Sequence, residues 1–245
     1  MLIDDRHPSI SRRKSSKAVV FGAMLGLVGI AIAGQVPSAA EAPRLVPAAL
    51  VDVPKADGLQ TAVLAGGCFW GVQGVFQHVE GVVSATSGYA GGSAETATYE
   101  QTETGLTAHA EAVRVVFDPQ KISYGTLLRV FFSAAHDPTQ LDRQGPDVGP
   151  QYRSAIFPLD DQQAKVANGY IQQLDGAKTF KSEIATTVER GKTFYEAEGY
   201  HQDYMDTNPG QPYIAVHEQP KIEALRRFFP TLYRTQPVLV TGRAG

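Results

Sequence analysis

The sequence predicts an α/β (α+β) domain in which a sheet carries helices packed on it. Three observations lead there. Short apolar or alternating runs read as strands, amphipathic stretches with polar caps separate them, and no glycine-rich phosphate fingerprint occurs. The first run, "QTAVLAGG" (residues 60–67), ends in glycines and reads as a buried strand. "CFWGVQGVFQHV" follows at once, with Phe69, Val72, Val75, Phe76 and Val79 at helical spacing. "GVVSATSGYAGG" reads as a strand and then a glycine-rich loop, and "AHAEAVRVVFDP" as an alternating strand. In that strand Glu111 shares a face with Val113 and Val115, so its carboxyl is expected to be partly desolvated. "ISYGTLLRVFFSAAHDP" is an amphipathic helix with Ser123 as N-cap and Pro138 beyond its end. "QYRSAIFP" and "EIATTVER" read as strands, and "DDQQAKVANGYIQQL" as a helix capped by Asp160. After Asn208-Pro209 the chain is expected to be irregular until "PKIEALRRFF".

The chain has 245 residues, 43% of them hydrophobic, enough for one sizeable core. Its net charge of -3 argues against a nucleic-acid surface, which would cluster Lys and Arg. The N-terminus reads differently from the rest. A basic run, "SRRKSSK" (11–17), precedes the apolar "AVVFGAMLGLVGIAIAG" (18–34), and Ser38-Ala39-Ala40 fits a small-x-small cleavage site. That order is the pattern of a bacterial export signal, and Arg12-Arg13 suggests the twin-arginine route. A periplasmic or exported location follows, with an uncleaved inner-membrane anchor as the alternative. The expected layout is therefore a signal over 1–40, a Pro-rich extended linker over 41–57, a catalytic domain over 58–230 and a tail over 231–245.

Cys68 is the one cysteine in the chain, so no internal disulfide can form. A lone cysteine is as readily a small buried hydrophobe as a reactive thiol. Its place at a strand-to-helix junction favours reactivity, because free N–H groups and the helix dipole are expected to lower the thiol pKa. Gly67 permits a tight turn, and Phe69 and Trp70 put an apolar wall beside the sulfur. Together these suggest a nucleophile for something small and apolar.

"GGCFWG" resembles the signature of the A-type peptide-methionine sulfoxide reductases. "GYAGG", "TYEQ", "GLTAHAEAVRVVFDP", "HDPTQLDRQGPDVGPQYRSAIF" and "YHQDYMDTNP" match family segments in the same order. The resemblance implies a two-layer, ferredoxin-like α/β sandwich with a long irregular C-terminal segment. It implies reduction of the S epimer of methionine sulfoxide, protein-bound or free, with Cys68 as nucleophile and Glu111 as general acid. Tyr99 and Tyr152 match phenols aimed at the sulfoxide oxygen, and Asp147 matches an aspartate that organises the hydrogen bonds. Phe69 and Trp70 match the pocket for the substrate's S-methyl group. A buried carboxyl suits the acid role, because desolvation keeps its proton available.

Two departures from the family pattern stand out. Gln73 replaces a common glutamate, and no second thiol follows Asn208 where many relatives carry recycling cysteines. A Cys68 sulfenic acid would then need an external thiol: a thioredoxin-like protein, glutaredoxin with glutathione, or a dithiol. No bound cofactor is implied, and His136 and His201 lack the spacing of a metal site. Nothing requires more than a monomer. The competing classes are a thiol peroxidase and a Cys-His hydrolase.

Overall fold

The computed structural model describes residues 40–240. The export-signal reading, apart from Ala40, lies outside the described residues, as do the last five positions. The elements follow in chain order as β1 (Gln60–Gly66), α1 (Phe69–Gln77), β2 (Val82–Ala90), α2 (Tyr99–Thr102), β3 (Ala110–Phe117) and α3 (Tyr124–Val130). Next come β4 (Arg143–Gln144), β5 (Asp147–Val148), β6 (Ser154–Ile156), α4 (Asp161–Gly176), β7 (Thr187–Val188), β8 (Phe194–Glu196), α5 (Tyr204–Thr207) and α6 (Gln219–Phe228).

One sheet runs in the order β7-β6-β1-β3-β2-β8, with β6 and β7 parallel and its other pairs antiparallel. The path β1-α1-β2-β3-α3-β6 is the βαββαβ connection of a ferredoxin-like sheet. Period two decides which strand residues face the helices. Leu64, Val113, Val115 and Phe117 join Phe76 of α1, Leu127 of α3, Tyr170 of α4 and Leu225 of α6 in the main core. Val63, Ala65, Ala110 and Ala112 point the other way into a smaller cluster with Phe157.

Local chemistry sets the helix boundaries. Ser123 and Asp160 act as N-caps, their side chains accepting from the Thr126 and Gln163 amides. The helix begun at Tyr124 changes pitch and continues as a π-helical segment, Phe131–Ala135, before His136 extends and Pro138 ends it.

Four expectations need correction. β2 runs past Gly88 to Ala90, because Gly88 leaves room for the Phe194 ring and the Tyr195 carbonyl of β8, so the expected glycine loop starts only at Gly91. The strand read in "QYRSAIFP" shortens to three residues after a 3₁₀ turn at Pro150–Tyr152, and "EIATTVER" pairs only at Thr187–Val188. A π-helical segment, Ile214–Glu218, precedes α6 where irregular chain was expected.

The fourth correction concerns residues 41–57, expected as a linker. The segment is extended but bound to the domain along its length. Val46 is fully buried, its N–H donates to Ser133 Oγ at 3.1 Å, and its carbonyl accepts from Arg129 Nε at 2.8 Å. Tyr170 Oη donates to the Pro47 carbonyl, and Asp52 accepts from the Gly125 N–H at 2.7 Å. The chain after α6 is attached too: Val238 N–H donates to the Gln77 carbonyl and Val240 N–H to Asp203 Oδ1. Val46→Ala should therefore lower stability by about 2 kcal/mol, as expected for a fully buried aliphatic side chain. Urea denaturation measures this, and an unchanged midpoint would mean that the segment does not stabilise the fold.

Candidate active site

The site forms where β1 hands over to α1. Gly67 turns the chain with φ +86°, and Gln144 occupies the space where a side chain at position 67 would begin. Gln144 is itself held, donating to the Asp137 carbonyl and accepting from the Asp137 N–H. Cys68 is thereby fixed as the N-cap residue of α1, with the sulfur at the mouth of the helix.

The residue has no capping side chain of its own, and β3 supplies one. Glu111 Oε2 accepts the Phe69 N–H at 2.9 Å, so a carboxyl from the sheet closes the first turn of α1 beside Cys68. Glu111 is 3% exposed and Cys68 is 7% exposed. The alternation of β3 is what sends Glu111 toward the helical layer together with Val113 and Val115.

These two groups are linked through charge. Burial pushes the Glu111 carboxyl well above its ordinary value; the Phe69 N–H opposes this, and Glu103, Asp147 and Glu218 add to it. The Cys68 thiol is also raised, contrary to the lowering expected from its place at a helix N-terminus. Desolvation is the largest cause, reinforced by Glu111 and Glu218, and it outweighs Lys221 and the Trp70 N–H, which favour the thiolate. One dry junction therefore disfavours negative charge on both groups, and their protonation is coupled.

A cavity of about 160 Å³ opens over Cys68 and Glu111. At roughly 30 Å³ per water it holds about five waters, well below the range of cofactor sites. It suits the end of a side chain. Phe69, Trp70 and Tyr213 give it an aromatic wall, and Tyr99, Tyr152 and Asp147 complete the lining. All seven residues expected at the site (Cys68, Phe69, Trp70, Tyr99, Glu111, Asp147 and Tyr152) thus meet in one cavity.

The phenols are not equivalent. Tyr152 Oη donates to both oxygens of Glu103, at 3.0 and 3.2 Å. The Tyr99 hydroxyl has no hydrogen-bond partner among the described residues, and burial near Glu103 and Glu111 pushes its pKa up to about 12. Tyr99 therefore offers a free neutral donor, whereas Tyr152 must leave Glu103 to donate elsewhere.

Sequence reasoning missed several neighbours. Tyr213 Oη donates to Asp147 Oδ2 at 2.5 Å, fixing the carboxylate from the far end of the chain. Trp70 stacks on Tyr204 at 3.9 Å, and its indole N–H donates to His201 Nδ1 at 3.2 Å. Glu103, Glu218 and Lys221 also act here. No local periodicity marks them, because each is brought in by tertiary packing.

Gln73 uses both ends of its amide. It donates to the Ala85 carbonyl and Gln202 Oε1 and accepts the Asp203 N–H. A glutamate could not make the two donations, so the substitution fits this buried network.

No histidine lines the cavity. His136 is bound to Phe131 O and Ser154 Oγ, and His201 to Trp70, so a Cys-His hydrolase has no base in place. Among the described residues no group of three or more His, Cys, Asp or Glu could hold a metal ion. A larger groove of about 860 Å³ beside α6, lined by Pro43, Ala215, Glu223 and Arg227, contains no nucleophile.

A buried thiol, a carboxyl whose proton burial favours and a free phenol around a side-chain-sized cavity fit a cysteine-dependent oxidoreductase. Similarity to known proteins narrows this. The family model described as peptide methionine sulfoxide reductase matches residues 60–231. The chain is 56% identical over 195 residues to a peptide methionine sulfoxide reductase MsrA 2 of Mesorhizobium japonicum, covering 80% of this chain and all of that one. It is 45% identical to an MsrA 2 of Synechocystis, covering 79% and 92%. Among solved structures, Mxr1 of Saccharomyces cerevisiae in reduced form superposes with a TM-score of 0.58 at 33% identity, covering 65% of this chain and 91% of that one. Methionine sulfoxide reductase A of Corynebacterium diphtheriae gives 0.51 at 34%, covering 68% and 92%. The chain belongs to the peptide methionine sulfoxide reductase family.

The raised Glu111 carboxyl has a consequence for stability. Unfolded, the group ionises near 4.5; folded, it holds its proton to higher pH. The folded form therefore loses stability as pH rises from about 4.5 toward the raised value. Glu111→Gln removes that loss and keeps an acceptor for the Phe69 N–H. Its melting temperature should match wild type at pH 4 and exceed it increasingly toward pH 8, whereas parallel curves would mean that Glu111 is not desolvated in the fold.

Proposed function

We propose that this chain reduces methionine sulfoxide to methionine, acting on the S epimer in oxidised proteins or free, and so repairs oxidised proteins. The observation that carries the reading is the meeting of Cys68 and Glu111 in one side-chain-sized cavity, with the Phe69 N–H holding the carboxyl in place. Reduction of a sulfoxide needs a nucleophile at sulfur and a proton at oxygen, and these two groups supply them.

In the proposed sequence the Phe69–Trp70 wall seats the S-methyl group and the Tyr99 hydroxyl donates to the sulfoxide oxygen. Tyr152 turns from Glu103 to add a second donor. Asp147, bound by Tyr213, orders the polar side of the cavity. The Cys68 sulfur attacks the substrate sulfur while Glu111 delivers its proton to the oxygen; the thiol proton follows, the S–O bond breaks and the oxygen leaves as water, with Cys68 joined to the substrate sulfur. A water then attacks the Cys68 sulfur, the S–S bond breaks to release methionine, the water's proton returns to Glu111, and its hydroxyl remains on Cys68 as a sulfenic acid. The methionine sulfur is reduced by two electrons and the Cys68 sulfur is oxidised by two.

The chain has one cysteine, so an external thiol completes the cycle. It attacks the sulfenic sulfur, water leaves, and a second thiol releases Cys68 from the mixed disulfide. A thioredoxin-like protein, glutaredoxin with glutathione, or a small dithiol fits this chemistry. The charge and hydropathy order of residues 11–40 supports a periplasmic or exported setting. A lone thiol there cannot be locked into an internal disulfide.

Glu111→Gln should lower kcat/KM for the S epimer by roughly 10²–10⁴ with a dithiol reductant, the range for loss of a general acid. Equal activity would remove Glu111 from the mechanism. Without reductant, one equivalent of the S epimer should leave Cys68 trappable by dimedone. Turnover of hydrogen peroxide with no action on either epimer would instead identify a thiol peroxidase.

A further inference from the structure

An ion pair lies against the first turn of the nucleophile's helix, at Gly71. Lys221 Nζ is 2.7 Å from Glu218 Oε2, with the two side chains 13% and 2% exposed. No other ion pair among the described residues is so deeply buried. Burying such a pair costs desolvation and often contributes no net stability. Its position suggests another use. A side chain at Gly71 would collide with Glu218 Oε2 and begin 3.0 Å from Lys221 Nζ. The pair therefore fills the space left open by a glycine in the first turn of α1, and Cys68 caps that turn. A cavity of about 80 Å³, lined by Gln144, Tyr213, His217 and the pair itself, adjoins it and shares Tyr213 with the Cys68 cavity.

The other groups facing Cys68 leave this pair a distinct role. Glu111 on β3 opposes the thiolate only when it has lost its proton. Asp147 on β5 is engaged by Tyr213. The hydroxyls of Tyr99, Tyr152 and Tyr213 are all raised above their ordinary value by burial and stay neutral. His136, behind Gly66, is held neutral by burial with a pKa of about 3, and His217 lines the adjoining cavity. Glu218 opposes the thiolate and Lys221 favours it.

We propose that the Glu218–Lys221 pair, seated against the turn that Cys68 caps, biases the charge of its sulfur beyond what burial does, the Glu218 carboxylate favouring the thiol and the Lys221 ammonium the thiolate. The two are positioning residues that act through space on the sulfur, and the inference rests on Cys68 being the nucleophile. The benefit is protection. Thiolates are far better nucleophiles than thiols, and this chain has no second cysteine to rescue an oxidised one.

The test is the pH dependence of Cys68 alkylation by iodoacetamide in the full chain, with a thermal melt to confirm folding. Glu218→Gln should move the midpoint to lower pH and raise the rate at pH 7 by roughly tenfold for each pH unit that the midpoint moves. Lys221→Met should move the midpoint to higher pH and lower that rate, and Lys221→Arg should resemble wild type. Opposite displacements by the two members are the expected result. Coincident profiles, or both variants moving in the same direction as a loosened structure would, overturn the proposal. If Lys221→Met does not fold, Glu218→Gln and Lys221→Arg decide it. Turnover of the S epimer by wild type is read separately. An active wild type with superimposed alkylation profiles rejects the pair's role alone, and an inactive wild type rejects the enzyme reading.

Discussion

The hydrogen bond from the Phe69 N–H to Glu111 joins the two halves of this structure. It crosses from the start of α1 to the start of β3 and places a carboxyl beside a helix N-terminus that has no other side-chain cap. The βαββαβ arrangement makes it possible, because β3 lies next to β1 and so passes the point where β1 turns into the helix. Shifting β3 by one residue would send Glu111 to the opposite face, among Ala110 and Ala112. The register of β3 thus fixes the pairing of Glu111 with the Cys68 turn on which the proposed mechanism depends.

The electrostatics follow from that junction. Glu111, Glu103, Asp147 and Glu218 all bear on one small volume, and burial leaves little water to screen them. Glu103 and Asp147 are each met by a tyrosine hydroxyl, and Glu218 by Lys221. Phenols can satisfy a carboxylate's hydrogen bonds without cancelling its charge. The cavity therefore resists further negative charge, which favours the protonated form of Glu111.

Much of this was legible in the sequence, and the reasons are local. Alternation in "AEAVRVVF" put Glu111 on the face of Val113 and Val115, and Ser123 and Asp160 cap the helices they precede. Cys68 at the strand-to-helix junction was equally readable. The direction of its ionisation was not, since a helix N-terminus is a local feature whereas burial and the carboxylates of β3 and the segment before α6 are tertiary. Tyr213, Glu218 and Lys221 were invisible for the same reason: more than 140 residues separate them from Cys68, and no periodicity links them. Residues 41–57 read as a linker because extended, Pro-rich chain looks the same whether solvated or bound along a domain, and Val46 shows which it is.

The proposed mechanism turns on Glu111 storing the proton used at the sulfoxide oxygen. Infrared difference spectroscopy of wild type against Glu111→Gln at neutral pH reads that proton directly. Wild type should show a protonated-carboxyl carbonyl band that the variant lacks. A spectrum in which Glu111 contributes only carboxylate bands at neutral pH would contradict this role.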